Sequence, residues 1–323
     1  MVPKLYYRGQ PLDTSCDAFG ELRSSGDALE DFAELRRRMD EDGYLFLPRL
    51  LDLDEVMAAR REVLERISAL GMLDTDAPLI DGVVRNNTDF TFDSQQDFHD
   101  LSINNPPLDK LLYSGPMMEF FAGFLGGSVR HFDRTWMRVK GNHAGTSGSP
   151  LLRRILSSTF PHCDIVYMGR GTKKVYTSWT PLGDTPLEMG GLMIAEGSHQ
   201  LEEVKGTYGK LDVDTYCTNS DEANDIESGK KIWADQVDSG AYSQDAVATQ
   251  KQLDRRWLSA NYRAGDVLVF TMYTMHAGMD NQTNRLRIST DTRYQLASEP
   301  VDQRWIGKNP IGHGPDGKIG MIC

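Results

Sequence analysis

The sequence predicts a mainly β protein with α-helices: a double-stranded β-helix core of the jelly-roll, cupin-like type with N-terminal helices packed on it. Apolar residues recur at helical spacing in the first 127 residues, and from Ser128 onward they form short strands between turns. A polar, acidic segment at 200–262 then interrupts the strands. Helices followed by about eight short strands are typical of a rolled sheet with a helical buttress.

A chain of 323 residues, 39% of them hydrophobic, is long enough for a sizeable core and fits one domain of this class. No internal repeat or linker divides it, so we predict a single domain over 1–323. We assign the helical buttress to about 1–127 and the β-helix core to 128–199 and 263–295. The segment 200–262 is an insertion, which at this length suggests an active-site lid.

The net charge is −12, which argues against nucleic acid or an anionic membrane as a partner. No apolar run is long enough to span a membrane, and the N-terminus lacks the apolar segment of a secretory signal. Cys16, Cys163, Cys217 and Cys323 show no CxxC spacing, so we predict neither a zinc ribbon nor a disulfide framework. We expect a cytoplasmic protein and leave monomer and homodimer open.

Three helical regions are predicted in the N-terminal part. The first has Asp27 as its N-cap and stops at Gly43, and the second runs from about Asp54 to Leu70 with an apolar stripe on one side. Residues 44–48 between them have the pattern of a short buried strand. The apolar run 108–125, which two glycines follow, predicts a buried helix or helix pair.

The strand-like segments of the core are short and separated by turns. They are 129–140, 159–168, 174–181, 192–195, 267–270 and 285–295. The proline- and glycine-rich tail 298–323 is predicted to be irregular.

A histidine and an aspartate two residues apart mark the predicted strand 159–168. On a strand, His162 and Asp164 point to one face while Cys163 points to the other and packs as a small apolar residue. Two histidines and one carboxylate form the facial triad of non-haem Fe(II) sites, which leaves coordination positions open. The pair alone is a weak pattern, because it also occurs at solvated strand edges.

A third ligand and an anion clamp follow at the end of the predicted core. His276 comes just after a buried strand, and a rolled sheet can bring it next to His162 and Asp164. Eleven residues later, Arg287 shares a predicted strand face with Ser289 and Asp291. An arginine there can hold a carboxylate through two parallel hydrogen bonds.

Together these residues resemble the phytanoyl-CoA dioxygenase family of Fe(II)- and 2-oxoglutarate-dependent oxygenases, which have a double-stranded β-helix fold. The resemblance spans about 40 to 295 without the insertion. It rests on 42–48, His162, Asp164, Trp179, 190–192, 197–199, 264–266, His276 and Arg287.

The resemblance implies a residue-by-residue assignment. His162, Asp164 and His276 would be the iron ligands, and Arg287 would hold the distal carboxylate of 2-oxoglutarate. Arg138 and Trp179 match positions where the family has a basic residue and an aromatic wall beside this co-substrate. Gly278 departs from the family, where a serine often binds the co-substrate, and Ser289 or Thr180 is the candidate replacement.

The implied activity is that of a 2-oxoglutarate-dependent dioxygenase. It would couple oxidative decarboxylation of 2-oxoglutarate, with O2, to succinate and CO2 with hydroxylation or related oxidation of a C–H bond in a small-molecule metabolite. Asp164 argues against the halogenating relatives, which lack that carboxylate. The alternative is a cupin-like isomerase or ligand-binding module that holds a metal without redox chemistry, and Arg287 discriminates against it.

Other residues are weaker candidates. Tyr167, Trp233 and Trp257 are possible substrate contacts, although local packing is favoured for the two tryptophans. Arg285 and Arg293 are assigned to solvated strand edges. His99, His131, His143 and His199 are assigned structural or rim positions. The insertion has 12 acidic and 7 basic residues over 201–257, which favours a neutral or cationic substrate.

Overall fold

The structure is a computed structural model that describes residues 3–85, 96–142, 159–229 and 240–323. Within these ranges the fold is a mixed α/β arrangement in which helices precede two principal β-sheets. The nine α-helices of the described part are α1 (Phe32–Asp42), α2 (Leu53–Ala69), α3 (Gln96–Ser102), α4 (Pro106–Tyr113), α5 (Gly115–Leu125), α6 (Ile165–Met168), α7 (Glu202–Gly206), α8 (Ala223–Glu227) and α9 (Ala246–Leu253).

The strands are short except for the last strand of the larger sheet. They are β1 (Tyr6–Tyr7), β2 (Gln10–Pro11), β3 (Phe19–Glu21), β4 (Tyr44–Leu47), β5 (Val129–His131), β6 (Trp136–Lys140), β7 (Tyr176–Pro181), β8 (Leu192–Ala195), β9 (Thr215–Cys217), β10 (Trp257–Ser259), β11 (Val267–Thr271), β12 (His276–Gly278), β13 (Arg287–Leu296) and β14 (Ile319–Met321).

The first helix begins later than the sequence predicts. Asp31, not Asp27, is the N-cap of α1, because its side chain accepts hydrogen bonds from the first free backbone N–H groups. Asp27 instead forms an ion pair with Arg38 at 2.6 Å. The predicted end is confirmed: Gly43 has a φ of 76° and closes the helix in the left-handed conformation.

The N-terminal helices and the larger sheet share one apolar cluster. Leu35 of α1, Val63 of α2 and Phe121 of α5 are fully buried in it with Val269 of β11 and Ile288 of β13. The predicted apolar run 108–125 is a helix pair, α4 and α5. Burial of these side chains supplies the hydrophobic stabilisation that holds the helices against one face of the sheet.

The larger sheet has the strand order β4-β11-β7-β13-β5, and β6 also pairs with β13. All of its pairings are antiparallel. Successive side chains of β13 alternate between the two faces, so Ile288 joins the helix-side cluster while Arg287 and Arg293 lie on the opposite face. β13 therefore carries a row of polar side chains towards the smaller sheet.

The smaller sheet has the order β12-β8-β10-β3. Its strand β10 lies within the segment that the sequence assigns to the insertion, so that assignment extends too far at its C-terminal end. The periodicity hides β10 because Trp257–Ser259 is only three residues long. The rest of the predicted insertion that is described here contains α7, α8, α9 and β9.

The C-terminal tail is ordered by pairing, contrary to the prediction that it is irregular. Its strand β14 pairs in parallel with β9, and Cys217 and Cys323 form a disulfide across 106 residues of sequence. The prediction of no disulfide framework did not anticipate this single disulfide. Buried Asp214, just before β9, also accepts from His313 and Lys318 of the tail, each at 2.8 Å.

No helix in the described part of the chain has the length and apolar character needed to cross a membrane.

Candidate metal centre

The segment 159–168 is not a strand. His162 forms an isolated antiparallel bridge with His276, with backbone N···O distances of 3.1 and 3.0 Å. Asp164 already has helical backbone angles and precedes α6. The chain thus turns after the bridge, and the turn replaces strand alternation as the reason why the two side chains converge.

Cys163 lies between the two polar residues and is buried in an apolar cluster beneath the smaller sheet. Its thiol donates to the backbone carbonyl of Tyr273 at 3.3 Å. The predicted apolar packing of this side chain is confirmed.

His162, Asp164 and His276 offer three ligand atoms that lie within 4.8 Å of one another. The Oδ1 atom of Asp164 is 3.6 Å from Nε2 of His162 and 3.9 Å from Nε2 of His276. All three side chains are buried. The predicted convergence of remote segments is therefore present in the structure.

The backbone orients both imidazoles for metal binding. Nδ1 of His162 lies 2.7 Å from the carbonyl of Phe160, and Nδ1 of His276 lies 3.0 Å from the carbonyl of Thr274. A carbonyl can only accept, so each Nδ1 carries the proton and each Nε2 presents a lone pair towards Asp164.

The protonation states suit a cation. Burial and the neighbouring His162 lower the pKa of His276 to about 4, so its imidazole is neutral at pH 7. Burial raises the pKa of Asp164, but the Arg293 guanidinium and the two histidines outweigh it and hold that pKa well below its usual value. Two imidazoles and one carboxylate are the donor set of a facial triad.

The other carboxylate oxygen of Asp164 is held by the larger sheet. Oδ2 accepts from the Thr177 hydroxyl of β7 and from Nη2 of Arg293 at 3.0 Å. Arg293 is only 3% exposed, so its assignment to a solvated strand edge is wrong. Its spacing of six from Arg287 places both arginines on one strand face, so its face was predictable from the sequence although its burial was not.

Arg287 lies on the same face and is also buried. Its Nη1 donates to Ser289 at 2.7 Å, while its Nε has no hydrogen-bond partner among the described residues. Its guanidinium carbon is 5.9 Å from the ring centre of Trp179, which β7 buries on the same side. Burial, the largest cause, lowers the pKa of Arg287 to about 10, so the group remains cationic at pH 7.

Arg138 of β6 lies across the strand pair from Ser289. Its Nε donates to Asp291 at 2.8 Å, and its side chain is 37% exposed. Next to it, burial and the charges of Arg287 and Arg138 lower the pKa of Lys140 to about 7. Arg138, Lys140 and Arg287 make this side of the site basic, which favours the binding of anions.

The remaining candidates are not all at the site. The Tyr167 ring stands edge-on to His162 at 5.4 Å, whereas Trp257 is buried in the apolar cluster and donates to the Ala246 carbonyl at 3.0 Å. Thr180 contacts Ser178 on the helix side of the sheet, so it cannot replace the serine absent at position 278. Trp233 lies outside the described residues.

The other histidines are away from the three ligands or are outside the described ranges. His199 lies 3.1 Å from the Asp40 carbonyl, and His131 packs 4.2 Å from the Tyr113 ring. The backbone carbonyl of His99, in α3, accepts a hydrogen bond from the Ser102 hydroxyl. His143 is not described. Arg285, with Asp81 at 3.5 Å, keeps its predicted exposed position.

The residues present fit a divalent iron and a dicarboxylic co-substrate. The three ligand atoms converge with their lone pairs free. The buried guanidinium of Arg287, whose Nε has no hydrogen-bond partner among the described residues, lies on β13, the next strand in the sequence after β12. A buried arginine without an acceptor is costly unless an anion completes it.

Residues 154–289 match the family model of phytanoyl-CoA dioxygenase. The match includes all three ligands as well as Arg287 and Ser289. The candidate site therefore lies in a segment that is similar to the phytanoyl-CoA dioxygenase family.

Two curated relatives of this chain are named as hydroxylases. The chain is 26% identical over 274 residues to the 1-deoxypentalenic acid 11-beta-hydroxylase of Streptomyces exfoliatus, covering 84% of this chain and 83% of the relative. It is 25% identical over 286 residues to the enzyme of the same name from Streptomyces arenae, covering 87% of each.

Solved structures share the fold of this chain. EctD from S. alaskensis with 2-oxoglutarate and 5-hydroxyectoine has a TM-score of 0.55 at 16% identity, covering 98% of this chain and 96% of that one. The non-haem α-ketoglutarate-dependent carbocyclase SnoK has a TM-score of 0.54 at 18% identity, covering 84% and 88%. The likeness shows a jelly-roll fold.

The family domain, the hydroxylase relatives and the His-Asp-His triad identify the chain as an Fe(II)- and 2-oxoglutarate-dependent oxygenase.

Proposed function

We propose that this oxygenase hydroxylates a C–H bond of a small-molecule metabolite, with His162, Asp164 and His276 as its iron ligands. The observation that carries the proposal is the convergence of these three ligand atoms within 4.8 Å. Arg287 is proposed to hold the distal carboxylate of 2-oxoglutarate, because its buried Nε lacks a partner in the described structure.

Iron with 2-oxoglutarate bound would activate O2 and drive oxidative decarboxylation of the co-substrate to succinate and CO2. The protein residues position and shield this chemistry. The carbonyls of Phe160 and Thr274 fix the imidazoles, and the buried setting of the triad excludes bulk water. No acid–base residue is required of the protein.

Three further residues are proposed beside the co-substrate. Ser289 accepts from Arg287 and sets the orientation of its guanidinium. Trp179 flanks that guanidinium. Arg138 donates through its Nε to Asp291, and its terminal nitrogens are proposed to face the co-substrate.

The substrate class is a small organic molecule, and Tyr167 is the described residue proposed to contact it. 1-Deoxypentalenic acid, for which the relatives are named, is an acid, whereas the acidic insertion favours a neutral or cationic molecule. Hydroxylation is the proposed outcome; desaturation, ring closure and epoxidation use the same ligands. We place the protein in the cytoplasm, as a monomer or homodimer, and propose a single domain over 1–323 in which β10 belongs to the core.

The non-redox alternative is disfavoured by Arg287. A metal-binding isomerase or ligand-binding module of this fold has no need of a buried arginine whose Nε lacks an acceptor among the described residues.

The test is succinate formation from 2-oxoglutarate under air with Fe(II), with and without added small molecules. The panel contains 1-deoxypentalenic acid and neutral and cationic metabolites of similar size. We expect a slow basal rate that one class stimulates, and no turnover in Asp164→Ala. Metal binding without any 2-oxoglutarate turnover would support the non-redox alternative.

A further inference from the structure

A cross-strand pair of the larger sheet grips the carboxylate of the proposed iron ligand from behind. Thr177 of β7 and Arg293 of β13 face each other in register. Both donate to Oδ2 of Asp164, while Oδ1 is the oxygen that faces the two histidines. Cross-strand neighbours on one face lie close enough to act on one group.

Aromatic packing holds Arg293 in place in addition to its hydrogen bond to Asp164. Its guanidinium carbon lies 4.1 Å above the ring centre of Trp136, and Trp136 packs against Trp305 at 4.9 Å. Stacking on an aromatic face holds the guanidinium plane in place.

Two donors of Arg293, Nε and Nη1, are buried without hydrogen-bond partners among the described residues. Leaving buried donors unsatisfied is unfavourable for folding. A neutral side chain would avoid that cost, and the hydrogen bond to Asp164 is the polar contact that this arginine makes among the described residues.

We propose that Thr177 and Arg293 are positioning residues that present Asp164 to the metal through Oδ1 alone. With Oδ2 occupied, the carboxylate cannot chelate the ion through both oxygens. The coordination position that a second oxygen would take stays open for the co-substrate. The inference rests on the proposed function, because it assumes that Asp164 is a metal ligand.

The consequence is measurable without turnover. Outer-sphere partners of metal ligands typically contribute about 10- to 100-fold to metal affinity. Anaerobic titration of the apoprotein with Co(II) gives both a dissociation constant and a visible spectrum that reports coordination number. Addition of 2-oxoglutarate then shows whether open positions remain.

For Thr177→Val and Arg293→Gln we expect Co(II) affinity about 10- to 100-fold weaker than in wild type. At saturating Co(II), their spectra should differ from wild type and respond less to 2-oxoglutarate. Arg293→Lys, which keeps one donor and the charge, should restore part of the wild-type spectrum. Arg285→Gln removes an exposed arginine near the same strand and should change nothing.

Wild-type affinity and spectra in both Thr177→Val and Arg293→Gln would overturn the inference. Thr177→Val is close in shape to the native residue, so it keeps the test valid if Arg293→Gln unfolds. A wild-type protein that binds no Co(II) would instead overturn the proposed function.

Discussion

His276 is a buried imidazole that must be neutral to bind a metal. Its ring lies 4.6 Å from that of Phe270 and 4.1 Å from that of His162. Burial, and then the neighbouring His162, lowers its pKa to about 4. The unfolded chain has no such environment, so there the imidazole titrates near its usual value of about 6.5.

This difference predicts the pH dependence of the metal-free protein. Between about pH 6.5 and 4 the unfolded state binds a proton at this residue that the folded state does not, so stability falls as the pH is lowered. The contribution is on the order of 3 kcal/mol across that window. Urea unfolding of wild type and His276→Gln at several pH values measures it.

We expect the His276→Gln protein to lose less stability between pH 6.5 and 4.5 than wild type. Equal losses in the two proteins would show that His276 does not titrate in this range.

The spacing of residues in the sequence predicted the metal ligands but not the residues that hold them in place. His162, Asp164 and His276 were predictable because family spacing identifies them. Thr177 was missed because a threonine on a strand is common and its bond to Asp164 depends on the turn after His162. Arg293 was misassigned although its face was predictable, since its burial depends on Trp136 packing above it.

At the scale of elements, Gly190 fixes the entry into β8. Its φ is 75°, and a Cβ there would lie 2.5 Å from the carbonyl oxygen of Met279 just after β12. The close approach brings the start of β8 against the end of the strand that carries His276.

Gly190→Ala is therefore expected to destabilise the protein by about 1–3 kcal/mol. Gly206→Ala is the matched control, because a Cβ there meets nothing within 4 Å. Thermal unfolding measures both. A Gly190→Ala protein as stable as the Gly206→Ala protein would contradict this explanation of the turn.

The link between β9 and β14 holds the C-terminal tail. The disulfide closes a loop of 106 residues, and Ile319 N–H donates to the Asp214 carbonyl at 2.8 Å. Disulfides typically stabilise by about 2–4 kcal/mol.

Cys323→Ser should lower the free energy of unfolding by about that amount, and reduction of the wild type should do the same. Cys16→Ser, which replaces an exposed free thiol, is the control. Chemical denaturation with and without reductant is the measurement. No difference between Cys323→Ser and Cys16→Ser would mean that the disulfide does not form.

Elements with strong periodicity were predictable, and those defined by pairing were not. α2 and β11 follow clear apolar patterns, so their positions agree with the prediction. β10 and β14 have three residues each and exist because partner strands meet them. The disulfide follows from the same pairing, which no spacing in the sequence indicates.

At the scale of the whole molecule, the site lies where the two sheets face each other. The smaller sheet supplies His276 from β12, and the larger sheet supplies Thr177, Arg287 and Arg293. The order of helices and strands predicted the jelly-roll class, since few other folds place remote strands so close together. Which side chains meet between the sheets could not be predicted, because it depends on the register of the strands.

The most direct test of the central claim is anaerobic titration of the apoprotein with Fe(II) and 2-oxoglutarate, followed through the visible charge-transfer band of the chelate. The account predicts a band in wild type, none in His162→Ala, and a higher 2-oxoglutarate requirement in Arg287→Ala. Tight metal binding by the wild type without any band would contradict it.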